Sequence, residues 1–263
     1  MISYPQINPI ALQLGALKIH WYGLSYIASF AVAWLLTKYR LKKFSYGWSN
    51  EAITDFIFYC AMGAVTGGRL GYVLFYGLNF LVLDPWFIFK IWQGGMSFHG
   101  GLLGTIAALY LFTKKINGIN CIAILDFAAP LAPLGLAIGR IGNFINGEAF
   151  GRATTIPWGM IFPGAGPSPR HPSQLYEALV EGLLLFIILW HYAKKPRPLG
   201  TISGLFLVCY GIGRFLCEFF REPDSHIGFI LFHHLTMGQL LSIPMALTGL
   251  GILTHCYHKK SNN

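Results

Sequence analysis

The segment Gly139-Arg140-Ile141-Gly142-Asn143-Phe144-Ile145-Asn146-Gly147-Glu148-Ala149 carries an arginine, two asparagines and a carboxylate out of a long apolar stretch. The residues before it, Ala128 to Ile138, read as helix embedded in hydrocarbon. An arginine at the end of such a span is costly, and it needs a partner or a task. Its planar, permanently charged fork suits an anion. The chemistry indicated is the handling of a phosphate or carboxylate headgroup at a membrane.

Other polar residues have the same character. Arg69 lies within Gly67-Gly68-Arg69-Leu70-Gly71, and His99 within Gly94-Gly95-Met96-Ser97-Phe98-His99-Gly100-Gly101. Tyr22 follows His20-Trp21. Tyr210 and Arg214 are four apart and share a helix face, as do Arg140 and Asn143, three apart. Each has a plainer reading. Arg69 suits a snorkelling interfacial arginine as well as a substrate contact. His99 suits a satisfied helix-end histidine. Arg140 and Arg214 can pair with Glu148 and Glu218. Tyr22 and Tyr210 fit an interfacial aromatic belt. Asn143 and Asn146 fit a cap or turn, and Glu148 fits a group that orients an arginine.

Several chemistries lack support. There is no HExxH, and His233-His234, His255 and His258 have no ligand-like companions. Ser173 stands near His171 without a nucleophile-elbow glycine pattern; it reads as the cap of the following helix. The five cysteines (Cys60, Cys121, Cys209, Cys217, Cys256) lie in or beside apolar segments without CxxC spacing, as small buried thiols do.

The elements that must position these groups are membrane helices. Hydrophobic residues form 54% of the 263 and charged residues 11%, with mean hydropathy +0.54; a soluble domain carries about 25% charge. Windows of roughly 20 apolar residues mark spans. We expect seven, at about 19–37, 54–75, 97–113, 121–141, 175–193, 200–218 and 237–256, in one integral-membrane domain covering 1–263. Small-xxx-small glycine pairs (67 and 71, 100 and 104, 135 and 139) predict close helix approach. Lys38, Arg40, Lys42 and Lys43, Lys114 and Lys115, Lys194, Lys195 and Arg197, and Lys259 and Lys260 fall in alternate connections and the tail. The positive-inside rule makes that side cytoplasmic, with the N-terminus outside and the C-terminus inside. This bias accounts for the net charge of +9, so no nucleic-acid partner is needed. The N-terminus lacks a basic n-region, and span one reads as an uncleaved anchor. With this topology, Tyr22, Arg69, His99, Arg140 with Asn143, and Tyr210 with Arg214 are expected at the outer ends of five spans. The loop region about 142–174 is expected to be periplasmic.

Taken together, His20 to Gly23, Gly67 to Tyr76, Gly94 to Gly101, Gly139 to Gly151, Pro169 to Glu177 and Tyr210 to Asp224 resemble the prolipoprotein diacylglyceryl transferase family of the bacterial inner membrane. The likeness covers nearly the whole chain. One departure is visible: only Ala165 to Ser168 separate Phe162-Pro163-Gly164 from Pro169, where relatives can carry a longer insert. The resemblance implies transfer of the diacylglyceryl group of phosphatidylglycerol to the lipobox cysteine thiol of a preprolipoprotein signal peptide. A thioether forms and glycerol 1-phosphate leaves, with no cofactor or metal. It implies that Arg140 binds phosphatidylglycerol and that His99, Tyr22, Asn143, Glu148, Gly151, Tyr210 and Arg214 matter to the reaction.

The residues suit that chemistry. A thiol with pKa about 8.5 benefits from a base or an electropositive pocket. His99, with an unperturbed pKa of about 6.5, either takes the proton or positions the headgroup. Arg140 and Arg214 suit the phosphate, Tyr22 and Tyr210 the headgroup. Asn143, Asn146 and Glu148 suit the arginines or the glycerol hydroxyls. Arg221, with Pro223 and Asp224, is placed to gate lateral access from the bilayer. The rival is an anion transporter or channel, which also uses intramembrane arginines and broken helices. Against it, the polar groups gather on one side and the halves show no inverted repeat.

Overall fold

A computed structural model describes residues 2–5, 7–15, 17–44, 49–90, 94–116, 120–223, 228–231 and 235–261. Asp224, His233 and His234 lie outside the described residues. The chain is mainly helical: α1 Trp21–Phe44, α2 Asn50–Tyr76, α3 Leu78–Leu83, α4 Phe98–Lys115, α5 Cys121–Ala128, α6 Ala132–Ile145, α7 Ser173–Glu177, α8 Leu185–Tyr192, α9 Thr201–Cys217 and α10 Met237–Ser261. A π-helical segment, Ala178–Leu184, joins α7 to α8 in one continuous helix, Ser173–Tyr192. Short strands pair locally: β1 Ile2–Ser3 runs parallel to β4 Met160–Ile161, β2 Ile10–Leu14 antiparallel to β3 Leu17–His20, and β5 Phe229–Leu231 antiparallel to β6 Leu235–Thr236.

A helix falls on every expected span. By length and apolar character, Asn50–Phe75, Ser173–Tyr192 and Met237–Ser261 can cross a membrane. The α5–α6 pair makes a fourth if its 45° bend is counted within one span. The sequence reading expects an unbroken helix over 121–141. The break falls at residues 129–131, where Pro130 has no N–H to donate and its ring crowds the preceding turn.

The packing divides into two compact units, residues 34–125 and residues 1–33 with 126–263. In the first, α2 and α4 meet along a glycine seam. A Cβ on Gly63 would lie 2.8 Å from Thr105 Cα, and one on Gly71 2.7 Å from Gly100 Cα. Only hydrogen fits there, as the small-xxx-small spacing predicts. Ser97 accepts from Gly100 N at 3.3 Å and so caps α4. At the far end Lys115 pairs with Asp55 at 2.7 Å, and Phe56, Tyr59 and Phe112 pack their rings together.

In the second unit, α6 packs against Ser173–Tyr192 at Gly182, where a Cβ would sit 2.9 Å from Ala137 Cα. On α9, Gly213 leaves room for Val180, while Gly204 and Gly211 let α10 approach. Buried Asp126 accepts from Gly200 N (2.7 Å), Ser203 N (2.8 Å) and Ser203 Oγ (2.7 Å). This remote carboxylate satisfies the start of α9, whose preceding residue, Gly200, takes a left-handed φ of 93° and offers no side-chain cap.

Residues 146–172 form an ordered connection on the same unit. Tyr4 donates to Phe144 O (2.5 Å) and is also 3.0 Å from Ile145 O. Arg170 reaches Ala165 O, Gly151 O and the Glu222 carboxylate at 3.0–3.2 Å. Ser173 is not the helix cap expected from the sequence: Pro172 holds the cap position, and Ser173 Oγ donates across the loop to Ala149 O at 3.1 Å.

Candidate active site

Arg140 stands near the C-terminal end of α6 and Arg214 near the C-terminal end of α9. Both face Glu177 and Glu181 of the intervening helix. Arg140 Nε lies 2.7 Å from Glu177 Oε2, and Arg214 Nη1 lies 3.0 Å from Glu177 Oε1. Glu181 lies 3.6 Å from Arg140 Nη2 and 3.6 Å from Arg214 Nη1. Arg214 Nη2 also pairs with Glu218 at 2.6 Å, and Arg221 reaches Glu177 at 3.4 Å. Thr236 donates to the other Glu218 oxygen at 3.0 Å. Glu177 and Glu181 are sealed from solvent at 0% and 1% side-chain exposure, whereas Arg140 keeps 21% and Arg214 13%. The carboxylates form the floor and the guanidinium groups the accessible side.

Local structure explains this placement. Glu177 and Glu181 are one turn apart across the junction into the π-helical segment, on a helix that Gly182 and Gly213 bring close to α6 and α9. Only at that separation can arginines from two helices share the same carboxylates. Wide turns of this type are recurrently found at functional sites.

The two arginines singled out in the sequence are therefore brought together, but their partners differ in part from those considered. Arg214 does pair with Glu218. The described ion pairs of Arg140 are to Glu177 and Glu181, with Glu148 taking other partners. Glu148 Oε1 instead accepts from Asn143 Nδ2 at 2.9 Å and from Asn146 Nδ2 at 3.5 Å. Its backbone carbonyl accepts from the buried Gln174 Nε2 at 2.7 Å. Ala149, next in the chain, takes a positive φ of 56°, a strained conformation for alanine that the Ser173 and Gln174 bonds hold in place.

Tyr22 packs beside Gly142 and lies 3.1 Å, hydroxyl to hydroxyl, from Tyr26. Tyr26 is within electrostatic reach of Arg140 and Glu148, so this polar patch adjoins Arg140. Tyr210 does not sit in an interfacial belt. It is 2% exposed, stacked on Phe206, and within electrostatic reach of Arg140, Arg214, Glu177 and Glu181. Gly151 is wedged where a Cβ would lie 2.6 Å from both His171 Cβ and His171 O. Its requirement is steric, and it anchors the loop through a bond from Gly151 N to His171 O at 2.9 Å.

Arg69 and His99 belong to the other unit. The Arg69 guanidinium is buried and donates to the backbone: Nε to Ile88 O at 3.1 Å, Nη1 to Gly94 O at 2.5 Å and Nη2 to Phe87 O. It staples the connection between α3 and α4 and stacks against Phe87. This backbone staple is neither of the two sequence readings of Arg69, and a buried guanidinium of this kind does not snorkel. His99 lies in the first turn of α4, its ring set edge-on to Phe98.

Sequence reasoning missed Glu177 and Glu181 as partners. The signal was present, because two carboxylates four residues apart in an apolar span are as costly as an arginine. Tyr26 was missed because it lies deeper in α1 among aromatic residues of ordinary composition.

Comparison with known proteins gives the chain its family. The family model described as "Prolipoprotein diacylglyceryl transferase" matches residues 9–255. A protein of Legionella pneumophila (strain Lens) named phosphatidylglycerol–prolipoprotein diacylglyceryl transferase is 56% identical over 250 residues, covering 95% of this chain and 97% of its own length. Proteins of the same name from Pseudomonas paraeruginosa and Pseudomonas aeruginosa (strain LESB58) are each 51% identical over 259 residues, covering 98% of this chain and 97% of theirs. The match runs through all the segments that build the arginine–carboxylate cluster, and the chain belongs to the prolipoprotein diacylglyceryl transferase family.

Proposed function

We propose that this chain transfers the diacylglyceryl group of phosphatidylglycerol to the lipobox cysteine of a preprolipoprotein, the first step of bacterial lipoprotein maturation. The observation that carries the reading is the meeting of Arg140 and Arg214, from separate helices, on one buried pair of carboxylates. Arginines held in this way present fixed donors to an arriving phosphate with little reorganisation.

In the reaction, the thiolate sulfur bonds to the glyceryl carbon that carries the phosphate oxygen. The carbon–oxygen bond breaks with its electron pair passing to that oxygen, and glycerol 1-phosphate departs. Charge grows on the leaving phosphate as the bond breaks, so donors from Arg140 and Arg214 favour the transition state over the bound lipid. Tyr210 and Arg221 border these donors. Tyr22, Asn143, Asn146 and Glu148 supply hydroxyl, amide and carboxylate groups suited to the glycerol hydroxyls, while Gly151 preserves the loop that carries Asn146 and Glu148. His99 is the candidate acceptor of the thiol proton, and Arg69 shapes the connection before His99.

The same reading takes the chain as one domain of seven spans, with its N-terminus and the 142–174 region periplasmic and its C-terminus cytoplasmic. The basic residues in alternate connections support it. Both substrates are held in the bilayer, and lateral access past Arg221 fits them.

Purified protein incubated with phosphatidylglycerol and a lipobox peptide should increase the peptide mass by one diacylglyceryl group. Anion flux in vesicles, with the peptide mass unchanged, would replace this reading with a transporter.

A further inference from the structure

The cluster sets three guanidinium groups (Arg140, Arg214, Arg221) against three carboxylates (Glu177, Glu181, Glu218). With all six ionised it is neutral, and an anionic headgroup would bring in an uncompensated negative charge. The carboxylates are not equally held. Glu177 has three guanidinium nitrogens at 2.7–3.4 Å. Glu218 has Arg214 at 2.6 Å and the Thr236 hydroxyl at 3.0 Å. Glu181 has arginine nitrogens only at 3.6 Å, and neither of its buried oxygens has a hydrogen-bond partner among the described residues, whereas Glu177 and Glu218 each have one oxygen hydrogen-bonded and an arginine nitrogen within 2.7 Å of the other. A buried carboxylate without hydrogen bonds is the costliest of the three to keep ionised, and a second anion nearby favours its protonated form further.

We propose that Glu181 takes up one proton from water as the phospholipid phosphate settles against Arg140 and Arg214, turning the cluster from neutral to singly positive. The charged and titratable groups around it are Arg140 from α6, Tyr210, Arg214, Cys217 and Glu218 from α9, Arg221 just beyond, and Glu177 on its own helix. Among them Glu181 is the carboxylate with least to lose on protonation. Its role is positional: it tunes the charge of the cradle and does not touch the reacting carbon. The proposal rests on the reading of Arg140 and Arg214 as the headgroup's cradle.

Linkage fixes the sign. Uptake of one proton on binding weakens lipid affinity by up to about tenfold per unit rise in pH, over the range where free Glu181 is ionised and bound Glu181 is protonated. The test is calorimetric titration of the purified enzyme in detergent with phosphatidylglycerol, in Hepes and in Tris, together with KM for the lipid against pH. The wild type should take up about one proton per lipid, as single-site linkage requires, and Glu181→Gln should take up none and lose the pH slope of KM. A Glu181→Gln variant that keeps the wild-type slope, or wild-type transfer with no proton change, overturns the proposal. If the glutamine variant does not fold, Glu181→Asp serves: a displaced pH window supports the assignment and an unmoved one refutes it. The calorimetry needs no peptide, so a failed transfer assay sinks the transferase reading and leaves the proton count standing. Transfer without proton uptake does the reverse.

Discussion

Replacing Glu177 with glutamine removes the carboxylate that all three arginines share. The geometry sets the scale: ion pairs of 2.7, 3.0 and 3.4 Å converge on a side chain with no solvent exposure. Breaking such a buried pair by removing one partner costs about 3–5 kcal/mol, because the remaining charge loses its compensation. Glutamine keeps one carbonyl acceptor, which favours the lower end of that range. If the loss falls on the placement of Arg140 and Arg214, about 3 kcal/mol corresponds to roughly a hundredfold loss in kcat/KM. The assay is the mass increase of a lipobox peptide at several phosphatidylglycerol concentrations, with thermal unfolding in detergent measured in parallel. Loss of transfer with a modest change in Tm locates the effect at the cradle, and a large fall in both locates it in the fold. A variant with less than about a fivefold loss, the size expected for an exposed ion pair, and with an unchanged Tm would refute the argument that Glu177 organises the arginines.

Arg140→Lys and Arg214→Lys should each lower kcat/KM by about 10–100-fold, since an ammonium retains charge but cannot replace a fork whose charge-assisted bonds contribute about 1.5–3 kcal/mol; Arg140→Ala should abolish transfer. Asp126→Ala should lower stability by about 2–3 kcal/mol, because three donors at the start of α9 lose their acceptor, and hydrogen exchange at Gly200 and Ser203 should rise first. Gly71→Leu should cost about 1–3 kcal/mol by forcing the α2–α4 seam apart, which thermal unfolding would register. Partial burial holds His171 below its usual value of 6.5. The folded protein therefore binds this proton less readily than the unfolded chain, so the contribution of His171 to stability is complete above about pH 6.5 and is lost as pH falls below that and through the lower folded value. A Tm profile between pH 5 and 8, flattened in His171→Phe, checks the sign.

The helices were legible because hydrocarbon imposes a length and a composition on anything that crosses it. Each expected apolar window carries a helix, and the glycine spacing at 67/71 and 100/104 marks the close approach of α2 and α4, whereas the same spacing at 135/139 marks none, since a Cβ on Gly139 would meet nothing within 4 Å. Arg140 and Arg214 announced themselves by their cost. Their true partners were harder to see, because Glu177 and Glu181 are embedded in a run that otherwise reads as ordinary span, and the winding that presents them leaves no separate trace in composition. The bend at Pro130 was not foreseen, although a proline inside an apolar run signals one, and the Arg69 staple depends on loop carbonyls, which every residue possesses. Ser173 has a cap-forming side chain at a helix start, but tertiary contact with the Ala149 carbonyl overrides that local preference.

The π-helical stretch also makes the helix from Ser173 to Tyr192 a rod with an adjustable phase. A wide turn takes up a surplus residue locally, so the residue spacing between the faces before and after it differs from that of a regular helix. The face that carries Glu177 and the face that meets acyl chains can therefore be set independently, within a single unbroken element. Deleting one residue there would restore regular winding with the two faces nearly in register, whereas deleting one from the regular turns of α8 would swing the stretch beyond it by about 100°, one α-helical residue step.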